Sequence, residues 1–238
     1  MPARTVLVTG ATRGIGLAVA RGLADEGAHV LGIARSDPGA GFPGTFVACD
    51  LADARSTAKT LTRLTDDHQV DAVVNNAGVV LPEPLGGIDT DNLQAVFDLN
   101  VRAAVQIVQA CVGAMKERGW GRIVNITSRA AYGARDRSSY SAAKSALTGL
   151  TRTWALELAD HGITVNAVAP GPVDTGLFRR THPVGSEAEA AVLRTVPVGR
   201  VGRPEEIAAA VRFLLRDDAG FITGQSLSVD GGGSIPGR

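Results

Sequence analysis

The sequence lacks several features that would mark particular classes of protein. Acidic and basic side chains balance at 24 each among its 238 residues, so no net charge is available to hold nucleic acid or an anionic membrane. No run of 18 or more apolar residues is present, and the N-terminus does not resemble a secretory signal. We therefore expect a cytoplasmic protein with neither nucleic acid nor a membrane as partner.

Cysteine, lysine and tyrosine are scarce. The two cysteines, Cys49 and Cys111, lack metal-ligand spacing and each lies in an apolar stretch, so we predict structural thiols and no metal site. Only three of the 24 basic residues are lysines, and only two residues are tyrosines. Tyr140 and Lys144 nevertheless stand four residues apart in a helical segment, a coincidence that chance rarely produces. The pair is therefore a candidate functional feature.

Short β-branched stretches alternate with longer stretches of helical period along the chain. Near-continuous apolar strands separated by helices predict one α/β domain over residues 1–238, with a doubly wound, seven-stranded parallel sheet and helices on both faces. The predicted strands are 5–9, 29–34, 45–49, 71–75, 122–127, 163–169 and 226–229. The predicted helices are 15–26, 53–65, 90–118, 138–159 and 204–215.

One long stretch, residues 170–197, has no regular pattern and is rich in glycine, proline and arginine. We interpret residues 171–197 as a substrate loop that covers a site. Ligands bind such sheets at the carboxyl ends of the strands, where the winding reverses. Motifs that follow a strand therefore carry the functional argument.

A glycine-rich turn follows the first strand and opens a helix. Glycines there permit positive φ and a close approach of the backbone to a pyrophosphate, which the positive end of the helix attracts. Such turns also occur without a ligand, so this signal is weak alone. The predicted cofactor-binding residues of the turn are Gly10, Thr12, Arg13, Gly14, Ile15 and Gly16.

The end of the second strand predicts which nicotinamide cofactor is used. An NAD site usually carries an acidic residue there for the ribose 2′-hydroxyl, but this chain has Ala34 followed by Arg35 and Ser36. Arg35 and Arg13 could both bind a 2′-phosphate through charge-assisted hydrogen bonds, which favours NADP(H). The alternative is that both arginines are solvated surface charges.

Two further strand ends carry polar residues. Asp50, followed by Leu51, could accept a hydrogen bond from the adenine amino group, or could mark the start of the next helix. The stretch Asn76, Ala77 and Gly78 suits either a close approach of backbone and cofactor or a turn side chain that ties strands together. The residues alone leave both alternatives open.

Taken together, these motifs resemble the short-chain dehydrogenase/reductase family, in particular its single-domain Rossmann-fold branch of 3-oxoacyl-[acyl-carrier-protein] reductases. The resemblance covers nearly the whole chain, from the glycine turn to the ending Ile222-Thr-Gly-Gln-Ser-Leu-Ser-Val-Asp-Gly-Gly232. It implies a homotetramer formed through two long central helices and the C-terminal segment, and a small carbonyl or alcohol substrate. It also implies a catalytic tetrad of Asn100, Ser128, Tyr140 and Lys144. The cofactor residues that it adds are Pro170, Gly171, Val173 and Thr175, with Thr175 and the backbone near Val173 holding the nicotinamide carboxamide.

The chemistry of the tetrad can be stated from residue types. Tyr140 and Lys144 share one helix face, and a neighbouring ammonium would lower the phenol pKa from its usual value near 10. Tyr140 would donate a proton to the carbonyl oxygen while Ser128 stabilises the developing oxyanion. The resemblance adds that Lys144 bonds the nicotinamide ribose and that Asn100 holds a water of the relay. Singly, each residue also fits an ordinary structural role.

The chain departs from the family pattern between Ser128 and Tyr140. This interval is one residue shorter than in many relatives and contains Arg129, Arg135 and Arg137, which indicates either an acidic or phosphorylated substrate or surface exposure. Tyr132 is interpreted as a pocket wall or as packing. Arg118 and His161 leave the use of a carrier protein open.

Two competing functions stay open at this point. One is an NAD-dependent alcohol or sugar dehydrogenase, against which Ala34 and Arg35 argue. The other is a non-catalytic nucleotide-binding protein, because a fold can keep its cofactor turn after losing activity. The intact tetrad argues against this second reading.

Overall fold

The computed structural model describes residues 4–39 and 41–235. Its strands and helices follow the alternation predicted from the sequence. The strands are β1 (Thr5–Thr9), β2 (His29–Ala34), β3 (Thr45–Ala48), β4 (Ala72–Asn75), β5 (Gly121–Ile126), β6 (Ile163–Pro170) and β7 (Ser226–Val229). The α-helices are α1 (Gly14–Asp25), α2 (Ala54–Asp67), α3 (Thr90–Phe97), α4 (Ala103–Arg118), α5 (Ser138–Leu158), α6 (Gly176–Arg179), α7 (Glu187–Leu193) and α8 (Pro204–Leu215).

The strands form one parallel sheet in the order β3-β2-β1-β4-β5-β6-β7. The chain winds outward from β1 to β3 on one side and from β4 to β7 on the other, so the winding reverses between β1 and β4. The predicted doubly wound sheet is therefore confirmed. A crevice for a ligand is expected at the carboxyl ends of these two strands.

Alternate side chains of the strands supply two hydrophobic cores, one on each face of the sheet. Leu7 of β1 belongs to the core beneath α2, α4 and α5, whereas its neighbour Val8 belongs to the core beneath α1 and α8. Because successive side chains of a strand point to opposite faces, a strand buried on both faces must be apolar throughout. Helices on both faces thus follow from the continuous apolar strands.

The single helix predicted over 90–118 is interrupted in the structure. A π-helical turn, Asp98–Arg102, separates α3 from α4. The Asn100 side chain enters this region, where its Nδ2 donates to the Val96 carbonyl at 2.8 Å and to the Val79 carbonyl at 3.0 Å. Side chains that bond into the backbone ladder are a recognised cause of such distortions, and π turns frequently mark functional sites.

The stretch Thr90–Arg118 is long and apolar enough to cross a membrane by length and composition. The buried helix of a folded core passes the same test. Here Ile107, Cys111 and Met115 of α4 are buried against the sheet. The stretch is therefore weak evidence for a membrane span.

The substrate loop is more ordered than predicted. The stretch 170–197 was expected to be irregular, but it begins with the last residue of β6 and contains the short helices α6 and α7. The side chains of Thr175 and Ser186 cap the two helices by accepting from backbone N–H groups. The sequence Ser186-Glu-Ala-Glu189 has the spacing of a capping box, a signal that would have predicted α7.

Both cysteines are free and buried, as predicted for structural thiols. Burial raises the pKa of the Cys111 thiol to about 12. A thiol with such a pKa stays protonated at neutral pH and is a poor nucleophile.

Candidate active site and cofactor cleft

The turn between β1 and α1 has the backbone geometry that a bound pyrophosphate needs. Gly10 and Gly14 have φ of 62° and 54°, and a Cβ on Gly16 would lie 2.2 Å from the Gly10 carbonyl oxygen. Arg13 is the N-cap residue of α1, and its side chain makes no capping hydrogen bond. It therefore does not occupy the backbone N–H groups of the first helical turn. The turn thus fits the phosphates of a dinucleotide on backbone geometry alone.

A buried threonine fixes this turn against the end of β4. The Thr9 hydroxyl accepts from the backbone N–H groups of Asn76 and Ala77, each at 2.9 Å. In return, Asn76 Nδ2 donates to the Thr9 carbonyl oxygen at 2.9 Å. Asn76 therefore connects β1 to the end of β4, where the winding of the sheet reverses. This is one of the two interpretations that the sequence left open. Thr9 was missed, although a hydroxyl at the last position of a buried strand was a usable signal.

The predicted adenine end lies where β3 leads into α2. Asp50 accepts from Ala52 N at 3.0 Å in a local turn, while Asp53 caps α2 by accepting from Arg55 N and Ser56 N. These N–H groups lower the pKa of the Asp53 carboxyl. The interpretation of Asp50 as the helix cap is therefore wrong, since Asp53 has that role.

The same turn is held by Arg102, the last residue of the π-helical turn that precedes α4. Arg102 donates to the carbonyl oxygens of Leu51 and Ala52 at 3.1 and 2.6 Å, and pairs with Asp98 at 2.7 Å. Leu51 is buried and Asp50 is exposed above it. The Asp50 carboxylate thus stands at the rim of the cleft on a fixed backbone.

The two arginines predicted to bind a 2′-phosphate are both exposed. Arg35 and Ser36 follow the end of β2, and Arg13 lies in the glycine turn that follows the neighbouring β1. Within residues 4–39 and 41–235, neither guanidinium makes an ion pair or a side-chain hydrogen bond. Both are therefore available to an anion at this rim.

The predicted nicotinamide end lies where β6 leads into the substrate loop. A Cβ on Gly14 would lie 3.2 Å from the Thr175 side chain, so the loop meets the glycine turn directly. Gly171 N donates to the Val229 carbonyl oxygen at 3.1 Å just beyond Pro170, and Val173 is buried and paired with Gly202. The start of the loop is thus anchored beside the cleft.

Tyr140 and Lys144 occupy one face of α5, with Lys144 Nζ 5.6 Å from the centre of the Tyr140 ring. Ser128 follows β5, and its hydroxyl is close enough to the Tyr140 phenol to lower the pKa of that phenol. Its hydroxyl also accepts from Ala130 N at 3.1 Å. Three of the four predicted tetrad residues are therefore brought together.

Asn100 joins this group from the π-helical turn. A Cβ on Gly78 would lie 2.5 Å from Asn100 Oδ1 and 3.5 Å from Lys144 Nζ, so the three residues converge. Asn100 Oδ1 is buried and accepts no hydrogen bond from the described residues. A buried acceptor without a partner is costly and suggests that a further polar group completes the site.

The electrostatics of the pair differ from the sequence prediction. Burial raises the pKa of Tyr140, although the Ser128 hydrogen bond and the charge of Arg137 act in the opposite direction. Burial also lowers the pKa of Lys144 to about 8. The lowering of the Tyr140 pKa that the sequence predicts from Lys144 is not found, because burial outweighs the groups that lower this pKa. The Lys144 ammonium donates to the Ile126 carbonyl oxygen at 2.8 Å.

The arginines between Ser128 and Tyr140 are not equivalent. Arg135 is exposed, as the surface interpretation expects. Arg129 and Arg137 are partly buried, and Arg137 acts on the Tyr140 pKa. Asp136, which directly precedes Arg137, has a φ of 56°, and Asp tolerates this left-handed conformation better than most residues do. Its carbonyl oxygen accepts from Glu83 N at 2.9 Å, which fixes the entry to α5.

Tyr132 is exposed and lines a cavity of about 140 Å³ together with Thr127, Ser128 and Ala131. This position agrees with a pocket wall and not with packing in the core. In the part of the chain that the structure describes, no group of three or more His, Cys, Asp or Glu side chains is arranged to hold a metal ion.

Comparison with known proteins agrees with this geometry. A family profile described as enoyl-(acyl carrier protein) reductase matches residues 10–234. The 3-oxoacyl-[acyl-carrier-protein] reductase FabG of Vibrio cholerae is 37% identical in an alignment that covers 96% of each chain. The chain belongs to the short-chain dehydrogenase/reductase family.

Solved structures of other short-chain dehydrogenases/reductases share the fold over almost their full lengths. One comes from Beutenbergia cavernae, contains bound NADP and is provisionally named an NAD(P)-dependent gluconate 5-dehydrogenase. It is 37% identical to this chain, with a TM-score of 0.92 and 97% of each chain covered. The aldohexose dehydrogenase of Thermoplasma acidophilum is 31% identical, with a TM-score of 0.92 and 99% and 96% coverage of this chain and that one. This chain is accordingly an oxidoreductase of the family, which interconverts a carbonyl and an alcohol with a nicotinamide cofactor.

Proposed function

We propose that this short-chain reductase reduces ketones to secondary alcohols with NADPH, and that Tyr140 donates the proton. The observation that carries the proposal is the convergence of Tyr140, Ser128 and Lys144 at the carboxyl end of β5, with Asn100 completing the cluster. Four chemically complementary groups from three separate elements support an active site rather than four structural coincidences.

The chain's own residues supply the acid and the oxyanion contact. Ser128, whose hydroxyl acts to lower the pKa of Tyr140, would donate to the carbonyl oxygen and stabilise the charge that develops on it. Tyr140 would transfer its phenolic proton to that oxygen, and its raised pKa keeps the proton in place at neutral pH. When bound, NADPH supplies the hydride. Lys144 would bind the nicotinamide ribose.

Three parts of the cleft would hold the cofactor. The glycine turn at Gly10, Gly14 and Gly16 would bind the pyrophosphate, and Thr175 with the backbone near Val173 would bind the carboxamide. At the opposite rim, Arg13 and Arg35 would bind the 2′-phosphate. Their exposure, and the absence of any carboxylate partner within the described residues, support NADPH over NADH.

Two names among the relatives suggest substrates to try. The V. cholerae protein is a 3-oxoacyl-[acyl-carrier-protein] reductase, and the B. cavernae structure carries the name of a gluconate dehydrogenase. Both reactions have a ketone on one side, which a site built around Tyr140 and Ser128 would serve equally. The names of the relatives therefore support a ketone as the substrate of this chain and do not choose among ketones.

The further expectations from the sequence stay proposals. A single domain, a cytoplasmic location and a homotetramer belong to this group. Large apolar side chains that are exposed in the isolated chain support self-association, since such surface usually marks an interface. They include Leu156 on α5 and Phe221 next to β7.

The test is NADPH oxidation over a panel of 3-oxoacyl thioesters, sugar acids, cyclic ketones and an enoyl thioester, followed by Tyr140→Phe on the best substrate. The turnover number of Tyr140→Phe should fall by about 10²- to 10⁴-fold, which is the usual contribution of a general acid. Thermal unfolding of the variant checks that it is folded. Unchanged turnover would show that Tyr140 is not the acid, and turnover of the enoyl thioester alone would replace ketone reduction as the function.

A further inference from the structure

Arg129 occupies a position that the proposed mechanism does not use. It follows Ser128 directly and begins a short 3₁₀ turn, Arg129–Tyr132. Its guanidinium lies 3.4 Å from the Thr195 hydroxyl, in the substrate loop, and 3.3 Å from the Gly233 carbonyl oxygen, in the C-terminal segment. The charge is thus held where three walls of the cleft meet: the catalytic turn, the substrate loop and the C-terminal turn.

Among the residues that the structure describes, no carboxylate pairs with this partly buried guanidinium. Other arginines of the described ranges, such as Arg179 and Arg200, pair with an acidic side chain. Arg129 has only two long hydrogen bonds to uncharged acceptors, although a guanidinium carries five N–H donors. Removing a charge from water without a counter-charge is costly.

The acidic residue of the adjoining C-terminal turn does not fill this role. Asp230 is buried, its Oδ1 accepts from Gly232 N at 3.0 Å, and it makes no ion pair within the described residues. Its Oδ2 is buried without a hydrogen-bond partner there. Arg129, which follows Ser128 in the chain, therefore carries a positive charge for which the described residues supply no counter-ion.

We propose that Arg129 binds the carboxylate of an acidic ketone substrate, so that the proposed reduction acts on oxo acids. A guanidinium matches a carboxylate with two parallel hydrogen bonds, and charge-assisted bonds of this kind fix orientation as well as affinity. Because consecutive Cα atoms are only about 3.8 Å apart, Ser128 and Arg129 would hold the ketone and the carboxylate of one small molecule. A single guanidinium without a neighbouring lysine suits a monoanion better than a phosphate dianion.

This inference rests on the proposed ketone reduction and narrows it. A 3-oxoacyl thioester is uncharged near its ketone and would leave Arg129 without a partner. The alternative role for Arg129 is structural, since its two bonds also connect three segments. A structural role would affect charged and neutral substrates equally, which makes the two roles separable by experiment.

The test compares kcat/KM for 4-oxopentanoate and 5-oxohexanoate with that for their methyl esters. The wild type should prefer the acids, and the ratio of acid to ester should fall about 10- to 100-fold in Arg129→Met, which is the effect expected from losing hydrogen bonds to a charged group. Arg129→Lys should keep part of the preference. Arg135→Met, which removes an exposed arginine of the same loop, should leave the ratio unchanged.

The proposal would be overturned if the wild type preferred the esters. It would also be overturned if the acid-to-ester ratio were the same in wild type and Arg129→Met, or if the ratio fell equally in Arg135→Met. Hydroxyacetone phosphate and hydroxyacetone form a second pair. A preference for the phosphate that exceeds the preference for any oxo acid would also overturn the carboxylate assignment.

A binding measurement separates this inference from the proposed function. The NADP⁺-loaded protein is titrated with pentanoate and with pentanamide, neither of which reacts. Pentanoate should bind more tightly, and Arg129→Met should weaken its binding about 10-fold or more. If the protein reduces no ketone but pentanoate binding depends on Arg129, the proposed reduction is wrong and the anion site is supported. Equal binding of pentanoate and pentanamide would refute the anion site, whatever the result for ketone reduction.

Discussion

The Lys144 ammonium donates a hydrogen bond to the Ile126 carbonyl oxygen at 2.8 Å and thereby joins the catalytic face of α5 to the last residue of β5. Lys144 is 3% exposed, and no ion pair with a carboxylate is present in the described residues. A carbonyl dipole alone compensates only part of the lost hydration, which is why its pKa falls from 10.5 to about 8. The fold therefore holds this charge at a cost in stability.

This cost predicts how stability depends on pH. Between the folded pKa of about 8 and the unfolded value of 10.5, the unfolded chain binds more protons than the folded one, so stability rises with pH across this window. The wild type should gain about 1 kcal/mol per pH unit there relative to Lys144→Met. Urea unfolding of both proteins at pH 7, 8 and 9.5 measures the difference. Parallel pH dependences would show that Lys144 does not titrate in this window.

Arg137 should control the pH dependence of the reverse reaction. Oxidation of an alcohol requires the Tyr140 phenolate, and Arg137 lowers the Tyr140 pKa that burial raises. Replacing Arg137 by Met should therefore raise this pKa and move the acidic limb of the kcat/KM profile to higher pH. Profiles for alcohol oxidation by wild type, Arg137→Met and the control Arg135→Met test this. An equal movement in the control would mean that the loop acts only through its net charge.

The fold could be predicted almost entirely from the sequence, because strands buried on both faces have to be apolar and the helices between them are amphipathic. All seven strands lie within one or two residues of their predicted positions. The interruption of the helix at Asn100 was not predicted. Its side chain donates to the Val96 carbonyl in the helix and also to the Val79 carbonyl, which is distant in sequence and approaches only in the folded chain.

The candidate site was predicted as a set of residues, but its electrostatics were not. The i,i+4 spacing places Tyr140 and Lys144 on one face and suggests that the ammonium lowers the phenol pKa. Burial of the phenol opposes this lowering, and burial cannot be predicted from the spacing of two residues. The same limit applies to Arg129 and Arg135, which look alike in sequence and differ in burial only because of the loop's path.

Cofactor preference should depend on Arg35. Replacing it by Ala removes a charge that is free within the described residues to bind a 2′-phosphate, so KM for NADPH should rise about 10- to 100-fold while KM for NADH stays nearly constant. Arg21→Ala, on the exposed surface of α1, is the matched control. Steady-state kinetics with both cofactors give the answer. Equal changes for NADPH and NADH would contradict a contact with the 2′-phosphate.

The substrate loop should open when Arg179 is removed. Arg179 pairs with Asp174 at 2.7 Å and also with Glu189 of α7, whose other carboxylate oxygen accepts from Gly185 N at 2.7 Å. These contacts lower the pKa of both carboxyls and connect α6 to α7. Arg179→Met should break this connection. The loop should then open locally more often, because few buried contacts remain there to oppose opening.

Limited proteolysis with chymotrypsin, which cleaves after Leu177 and Phe178, measures this opening. Cleavage should be several times faster in Arg179→Met than in wild type, and KM for the substrate should rise more than kcat falls. Arg180→Met, at an exposed neighbour without an ion pair in the described chain, is the control. The wild-type rate should also increase at high salt, since screening weakens the ion pairs. Cleavage of Arg179→Met at the wild-type rate would mean that packing, and not this ion network, keeps the loop closed.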